Sequence, residues 1–204
     1  MEPVSPRVLL ASGSPRRRKL LEQIGLFHET LDVALDETPL PGEAAADYVL
    51  RLAVSKAEAG ARFRPSTATQ PVLAADTTVA VDGRILGKPL TREVFLEMME
   101  RLSGRTHQVI TGVALVGTLV YTRLSVSQVT FREILPGEAQ AYWETGEPRD
   151  KAGGYGIQGM GAIFVSNLQG SFSGVMGLPL FETAELLQQA GIELFKPLAA
   201  SRQA

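Results

Sequence analysis

The order of strand-like and helix-like segments is the feature that most limits what this chain can fold into. Short apolar runs alternate with amphipathic helical patterns at both ends of the chain, and two long strand patterns at 106–116 and 119–134 lie between them. Alternating strands and helices favour parallel pairing, whereas strands joined by a short turn pair antiparallel. The order therefore predicts an α/β protein with one mixed sheet and flanking helices.

Turn and capping residues set the expected bounds of the elements. Ser14 suits the N-cap of the first helix, Pro15 its first turn and Gly25 its end. The dipeptide Asp82-Gly83 predicts a hairpin. The other expected elements are strands at 7–11, 27–35, 72–81, 84–86 and 162–167, and helices at 43–62, 91–102, 136–144 and 179–190.

Composition excludes several kinds of site. The 204 residues include no cysteine, which rules out disulfides, thiol nucleophiles and thiolate metal sites. The two histidines, His28 and His107, are too few for a metal site built on several imidazoles. A metal would be held by carboxylates and substrate oxygens, which suits Mg²⁺ or Mn²⁺.

Charge and hydropathy narrow the expected partners. The net charge is -2, whereas binding to nucleic acid favours a basic domain, so we expect no nucleic-acid partner. No apolar run reaches the roughly 18 residues of a membrane span, and no signal-like segment precedes the first strand. We therefore expect a cytoplasmic protein without membrane association, folded as one large domain or two small lobes.

A run of four cations, residues 16–19, follows the turn Ser12-Gly13-Ser14 at the start of the first helix. A helix N-terminus carries partial positive charge, so cations there cost stability unless an anion lies among them. One interpretation is a site for a polyanion, most simply a phosphate chain. The alternative is a solvated basic patch on an ordinary helix.

Two carboxylates are candidates for chemistry. Asp76 follows the apolar run 72–75, so it is expected to be partly desolvated and to need a metal, a cation or a hydrogen-bond donor as partner. There it can ligate a metal or take a proton from water, or it can simply cap a turn. Glu37 lies in a loop stiffened by Pro39 and Pro41, which suits a ligand, although acidic loop residues are usually solvated.

Two lysines suit phosphate oxygens, because an ammonium is a compact point charge. Lys56 lies in the long helix, where lysine normally faces solvent, so it is the weaker candidate on pattern alone. Lys88 lies in the corner Gly87-Lys88-Pro89, where the flanking residues restrict its backbone.

The segment 154–159 spells the glycine pattern of dinucleotide-binding loops, G-x-G-x-x-G. That fingerprint needs a strand before it and a helix after it, whereas here a turn-rich stretch precedes and a strand pattern follows. A loop that lets a flat ligand approach the backbone, with Gln158 offering a donor and an acceptor, is the favoured interpretation. A plain surface loop is the alternative. His107 begins a strand and is expected to be structural.

These segments resemble, in order, the motifs of the Maf family of nucleotide pyrophosphatases, from about residue 8 to residue 190. The matching motifs are Leu10-Ala11-Ser12-Gly13-Ser14-Pro15-Arg16-Arg17, Arg51-Leu52-Ala53, Lys56-Ala57, Ala75-Asp76-Thr77, Gly87-Lys88-Pro89, Ser103-Gly104, Thr106-His107-Gln108-Val109, Thr111-Gly112-Val113, Lys151-Ala152-Gly153-Gly154-Tyr155-Gly156-Ile157-Gln158-Gly159 and Gly177-Leu178-Pro179-Leu180. Arg18 and Lys19 lie outside the motif and are expected to face solvent.

The resemblance implies a single domain over 1–204, with two lobes around one cleft, similar to inosine-triphosphate pyrophosphatases. It implies hydrolysis of a nucleoside triphosphate to the monophosphate and pyrophosphate with a divalent cation, as house-cleaning of the nucleotide pool, and possible homodimers. By position, Asp76 resembles the catalytic base, and Glu37 and Asp76 resemble the metal ligands. The positions that resemble substrate-binding residues are Ser12, Arg16, Arg17, Lys56, Thr77, Lys88 and Gln158.

Within the family, Gln158 resembles the branch that acts on dTTP and UTP, and Arg16, Thr77 and Gln158 resemble the positions that sort substrates. Two other functions stay open on sequence. One is a pyrophosphatase for damaged purine or methylated GTP nucleotides. The other is a nucleotide-sensing regulator of cell division, which needs the cations more than the base.

Overall fold

The computed structural model describes residues 7–64 and 69–195. Within these ranges the chain alternates strands and helices around one sheet, and short 3₁₀ segments lie between α4 and β7. The elements are β1 (Val8–Ala11), α1 (Pro15–Gln23), β2 (His28–Leu31), α2 (Ala45–Phe63), β3 (Val72–Val81), β4 (Arg84–Leu86), α3 (Arg92–Leu102), β5 (Thr106–Val116), β6 (Val120–Phe131), α4 (Pro136–Glu144), β7 (Val165–Gln169), α5 (Phe172–Met176) and α6 (Leu180–Gln189).

The described residues form one seven-stranded mixed sheet with the order β2-β1-β3-β5-β6-β7, and β4 pairs with the end of β3. β1 runs parallel to β2 and β3, and the remaining pairs are antiparallel. The mixed sheet with flanking helices predicted from the order of segments is therefore confirmed. Among the described residues, no helix has the length and apolar character needed to cross a membrane.

Most element bounds agree with the sequence pattern, and the differences lie near loops. The strand expected at 27–35 is shorter, because β2 pairs with β1 only over His28–Leu31. The strand expected at 162–167 begins at Val165, after a 3₁₀ segment. The short helix α5 was not expected, since five residues are too few for an amphipathic period.

Helix α2 packs close to the sheet at two glycines, and this packing sets the depth of the site. A Cβ at Gly112 would lie 2.7 Å from the carbonyl oxygen of Val49 on α2. A Cβ at Gly60 on α2 would lie 2.9 Å from the side chain of Val72. Because both glycines lack that atom, the helix approaches β3 and β5 directly and can present a side chain to the middle of the sheet.

Alternation along β3 divides its side chains between two faces. Val72 and Ala74 pack beneath α2, whereas Leu73 and Ala75 belong to the core cluster on the opposite face. Asp76 continues the α2 face, and Thr77 continues the opposite face, where α5 lies. Two adjacent polar residues of one strand thus belong to two different environments.

Candidate active site

A cavity of about 850 Å³ lies where the β1–α1 turn, the loop at 37–39, the middle of β3, the corner at 87–90 and the segment at 150–158 meet. Its lining includes eight of the nine residues singled out from the sequence, namely Ser12, Arg16, Arg17, Glu37, Asp76, Thr77, Lys88 and Gln158. The ninth, Lys56, contacts two of these side chains from α2. Residues more than 140 positions apart in the chain therefore surround one space.

Asp76 is buried in the interior of β3, not at the end of a strand, and faces α2. Its Oδ1 accepts a hydrogen bond from Lys56 Nζ at 2.6 Å. A buried carboxylate needs such a partner, because desolvating an unpaired charge costs several kcal/mol. Of the partners expected for Asp76, the structure supplies the cation.

Lys56 is the more deeply placed of the two candidate lysines, the reverse of the ranking by sequence pattern. Its side chain is 10% exposed, whereas that of Lys88 is 57% exposed. The Lys56 ammonium lies 2.6 Å from Asp76 and 2.5 Å from Glu37. Lys56 does not face solvent as a helical lysine normally does, because α2 lies so close to the sheet that this position of the helix faces the carboxylate of β3.

Glu37 brings a second carboxylate to the same ammonium and lies 4.0 Å from Lys88. Burial by itself would raise the pKa of Glu37, but the hydrogen bond and charge of Lys56, with the charges of Lys88 and Arg17, hold that pKa below its ordinary value. Glu37 is therefore ionised at neutral pH, and although its side chain is 43% exposed, it is paired with the buried ammonium of Lys56.

The loop that carries Glu37 is fixed by two residues of α2 that sequence reasoning missed as site residues. The hydroxyl of Tyr48 donates to the Glu37 carbonyl oxygen at 2.9 Å. Arg51 donates to the Thr38 carbonyl at 3.3 Å and to both carboxylate oxygens of Glu43. The motif Arg51-Leu52-Ala53 was a signal for Arg51, whereas Tyr48 lies outside the quoted motifs.

Arg17 crosses from α1 to the opposite side of the cavity. Its Nε donates to the Gly177 carbonyl at 2.7 Å, and its two terminal nitrogens donate to Ser12 Oγ at 3.1 Å and to Thr77 Oγ1 at 3.4 Å. Burial lowers the pKa of Arg17, and the charge of Asp76 opposes that shift. No carboxylate within the described ranges forms an ion pair with this guanidinium. A half-buried cation held by neutral acceptors is suited to an anionic ligand.

The turn before α1 differs in detail from the capping expected. Ser14 occupies the N-cap position with Pro15 in the first turn, but its side chain forms no capping bond. Instead the Ser14 amide donates to Ser12 Oγ at 3.2 Å. Ser12 thus shapes the turn and holds Arg17. Beyond the turn, Arg18 and Lys19 are exposed, as expected for positions outside the motif.

Thr77 belongs to a hydrogen-bond chain with a defined direction. Thr111 donates its hydroxyl proton to the Gly174 carbonyl at 2.8 Å, so the 2.9 Å bond between Thr77 and Thr111 must use the Thr77 proton. Arg17 then donates to Thr77 Oγ1. Thr77 therefore faces the cavity with acceptor capacity only. Thr111 was not predicted to be a site residue, although it belongs to the motif Thr111-Gly112-Val113.

Arg16 lies at the open side of the cavity, where it forms an ion pair with Asp150 at 3.2 Å. Asp150 also accepts from Lys151 Nζ at 2.6 Å. Lys151 lines the cavity and, although its motif was quoted, its role as a fifth cation there was missed.

The glycine-rich segment carries Gln158, which is exposed and lines the cavity. A 3₁₀ segment and then β7 follow it, so the exclusion of a dinucleotide fingerprint is confirmed. The glycines themselves are explained by packing within the protein. A Cβ at Gly153 would lie 2.7 Å from Val79, and one at Gly154 would lie 2.8 Å from Phe95. Approach of a flat ligand to this backbone stays a prediction.

His107 is structural, as expected. It is 2% exposed, its Nε2 hydrogen-bonds with the Tyr155 hydroxyl at 2.7 Å, and its ring packs edge-on against Phe131 and Tyr155. Burial lowers the pKa of His107 to about 4, so the ring is neutral at neutral pH.

The two carboxylates that resemble the family's metal ligands, Glu37 and Asp76, both line the cavity. Among the described residues no group of three or more histidine, aspartate or glutamate side chains is arranged to hold a metal. Mg²⁺ does not require one, because it commonly binds through one or two carboxylates, water and substrate phosphates. The two carboxylates contact the same ammonium, so their chemistry and proximity fit such a cation.

Comparison with known proteins assigns the chain to a family. Residues 7–190 match the family model described as Maf-like protein, and the chain belongs to this family. A relative from Alkalilimnicola ehrlichii, named dTTP/UTP pyrophosphatase, is 53% identical over 191 residues, which cover 92% of this chain and 95% of the relative. A relative from Methylococcus capsulatus with the same name is 53% identical over 196 residues, which cover 96% of each.

Among solved structures, the Ham1 protein of Staphylococcus aureus is similar to this chain with a TM-score of 0.42 and 18% identity. The match covers 63% of this chain and 72% of that protein. A similarity of this size supports no statement about the site.

Proposed function

We propose that this protein is a nucleoside triphosphate pyrophosphatase that hydrolyses dTTP and UTP to the monophosphate and pyrophosphate. The observation that carries the proposal is one cavity in which a buried carboxylate, Asp76, lies among cationic side chains from four parts of the chain. The nucleotides come from the relatives, since five of them, at 48% to 53% identity, are named dTTP/UTP pyrophosphatase.

The cations bind and orient the triphosphate. Arg17 is held in place before any ligand arrives, so little side-chain entropy is lost when it meets a phosphate. Arg16 and Lys88 neutralise charge from the open side of the cavity. Phosphoryl transfer depends mainly on such positioning and on electrostatic stabilisation of the transition state.

Asp76 orients a water molecule and takes its proton as the water attacks the α-phosphorus, and pyrophosphate leaves. Lys56, bonded to Asp76, fixes the direction of that carboxylate. Glu37 and Asp76 would hold a divalent cation, Mg²⁺ or Mn²⁺. When bound, that cation would polarise the phosphoryl group and offset the charge of the phosphates.

Gln158 selects the base. Its amide offers one donor and one acceptor, which match the alternating acceptor and donor edge of thymine or uracil. Cytosine reverses that pattern, and a site built on hydrogen bonds strongly rejects a mismatched group. We therefore expect dCTP to be a poor substrate.

The test is a phosphate-release assay with added inorganic pyrophosphatase and Mg²⁺ or Mn²⁺, run on dTTP, UTP, dCTP, a methylated GTP and a damaged purine triphosphate. We expect dTTP and UTP to be hydrolysed fastest. Equal rates on dCTP and dTTP would contradict the assignment of Gln158, and faster hydrolysis of the purine nucleotides would favour the alternative substrate class. Binding without hydrolysis would favour a nucleotide sensor.

The role of Asp76 is tested by Asp76→Asn, which keeps the shape of the side chain and removes the base. We expect turnover of dTTP to fall by at least about a hundredfold, the usual scale for loss of a general base. Asp47→Asn, an exposed aspartate on α2 outside the cavity, is the matched control and should keep wild-type turnover. Near-native turnover in Asp76→Asn would show that another group accepts the proton.

A further inference from the structure

The carboxylate of Glu147 lies inside the loop that carries Gln158. Its Oε2 accepts from the Met160 amide at 2.9 Å, and its Oε1 accepts from the Gly161 amide at 3.2 Å and from the Tyr142 hydroxyl at 2.7 Å. The Tyr142 hydroxyl in turn accepts from the Gly156 amide at 3.2 Å. Backbone amides on both sides of Gln158 are therefore bonded to these two side chains.

The glycines of this loop are fitted to the same side chains. A Cβ at Gly159 would lie 2.6 Å from the carboxyl carbon of Glu147, and a Cβ at Gly161 would lie 2.7 Å from the Tyr142 hydroxyl. The nearest neighbour of a Cβ at Gly156 would be Lys151, at 2.8 Å. The flexible end of Lys151 could move aside for a side chain at Gly156, but a side chain at Gly159 or Gly161 would displace Glu147 or Tyr142 from these hydrogen bonds. The loop therefore bonds to Glu147 in this way because Gly159 and Gly161 are glycine.

The Glu147 carboxylate is surrounded by hydrogen-bond donors, so it acts as an acceptor and not as a donor. Burial would raise its pKa, but the hydrogen bonds from Tyr142, Met160 and Gly161 outweigh that effect and hold the pKa below its ordinary value. An ionised carboxylate has no proton to donate and can serve three donors at once. Lys151 Nζ, bonded to the Glu147 carbonyl at 2.8 Å, adds a nearby positive charge.

We propose that Glu147 is a positioning residue for base selection, because it fixes the loop at 156–161 so that Gln158 presents its amide to the base in one orientation. This inference rests on the proposed function, in which Gln158 reads thymine and uracil. An amide discriminates between two bases only if its donor and acceptor cannot exchange places, and a fixed backbone on both sides restricts that exchange. Glu147 itself lies outside the residues that line the cavity.

Steady-state kinetics of Glu147→Gln provide the first test. The amide replaces one acceptor oxygen by a donor group, so at least one of the three bonds to the carboxylate is lost. We expect the ratio of kcat/KM for dTTP to that for dCTP to fall about tenfold, with KM for dTTP raised and kcat within about twofold of wild type. Because a ratio of two substrates does not depend on the fraction of folded enzyme, a general loss of structure leaves it unchanged.

Glu144→Gln is the matched control. Glu144 is exposed at the end of α4, three positions before Glu147, and the substitution is chemically the same. We expect it to keep the wild-type ratio. Tyr142→Phe, which removes the acceptor of the Gly156 amide, should shift the ratio in the same direction as Glu147→Gln.

Amide hydrogen exchange in the free protein, followed by NMR, provides a test that needs no nucleotide. In Glu147→Gln the amides of Met160 and Gly161 should exchange at least about tenfold faster than in the wild type, because their acceptor is weakened. The amide of Gly112 in β5 should keep its protection. Unchanged protection of Met160 and Gly161 would overturn the inference.

The kinetic outcomes separate this inference from the proposed function. If the wild type hydrolyses dTTP and rejects dCTP while Glu147→Gln keeps the same ratio, the inference is wrong and the proposed function stands. If the wild type does not hydrolyse dTTP, or hydrolyses both nucleotides equally, base selection by Gln158 fails and this inference fails with it. A reduced ratio together with faster exchange supports the inference.

Discussion

The two sides of the cavity are built in different ways. The floor, defined as Ser12, Arg17, Lys56, Asp76 and Thr77, consists of buried or half-buried side chains bonded to fixed partners. The rim, defined as Arg16, Lys88, Asp150 and Gln158, is mostly more exposed, and its ion pairs join half-buried or exposed side chains. The floor side chains are held by fixed partners in the free protein, whereas exposed side chains of the rim have more conformational freedom to lose when they contact a ligand.

This difference assigns different energetic roles to the two sides. Exposed ion pairs contribute about 0–1 kcal/mol each, whereas breaking a buried pair costs about 3–5 kcal/mol because a charge is left uncompensated. Substitutions on the floor should therefore reduce turnover, and substitutions on the rim should mainly change affinity and selectivity.

The largest effect is expected from the lysine of the floor. Lys56→Met removes the ammonium between Asp76 and Glu37, and we expect kcat/KM for dTTP to fall by at least about a hundredfold. Lys88→Met, on the rim, should cost about tenfold, mostly through KM. Lys19→Met, an exposed lysine of α1, is the control for loss of a positive charge. A larger loss for Lys88→Met than for Lys56→Met would reverse the comparison.

A smaller effect is expected at Gln158. Gln158→Glu replaces the donor half of the amide by a negative charge that faces the acceptors of the pyrimidine, so KM for dTTP should rise about tenfold. Turnover at saturation should change little, because the floor is intact. Gln23→Glu, exposed on α1, is the matched control. A fall in kcat with unchanged KM would show that the rim takes part in the chemical step.

The smallest effect is expected on the free energy of unfolding, through the titration of His107, which packs against Tyr155. The folded protein holds the pKa of His107 at about 4, below its ordinary 6.5, so between these values the unfolded chain binds more protons than the folded one. The free energy of unfolding should therefore fall as the pH is lowered through this range, by about 1 kcal/mol between pH 7 and pH 5.5 from this residue alone.

The contribution of His107 is measured by urea denaturation at both pH values in the wild type and in His107→Gln. The variant cannot titrate there, so subtracting its pH dependence removes that of the carboxylates. We expect the wild type to lose more stability than the variant over this interval. Equal losses would mean that the ring has the same pKa in the folded protein as in the unfolded chain.

The sheet and most of the helices could be predicted from the sequence because turn and capping residues next to each element indicate where it begins and ends. The hairpin at Asp82-Gly83 and the cap of α3 at Thr91, whose side chain accepts from the Val94 amide, follow from neighbouring residues. Bounds were less accurate for β2 and β7, since strand ends depend on the length of the partner strand.

The site was predicted unevenly because its side chains are brought together by contacts that no local pattern reports. The depth of Lys56 depends on Gly112, which is more than 50 positions away and lets α2 approach the sheet. The roles of Thr111 and Glu147 depend on donors supplied by other segments. The family motifs indicate which segments of the chain belong to the site, but only the three-dimensional structure shows which atoms of those segments are in contact.

The position of Asp76 inside a long strand also limits how this chain can change over time. β3 and β5 pair in register from Val72 to Ala80, with Asp76 opposite Gly112. Because successive side chains alternate between faces, inserting or deleting one residue before Asp76 in β3 would turn its carboxylate away from α2 and bring Thr77 or Ala75 there instead. Insertions and deletions that arise as this sequence evolves should therefore occur mainly in the connecting loops, where a change of length leaves the pairing of β3 with β5 intact.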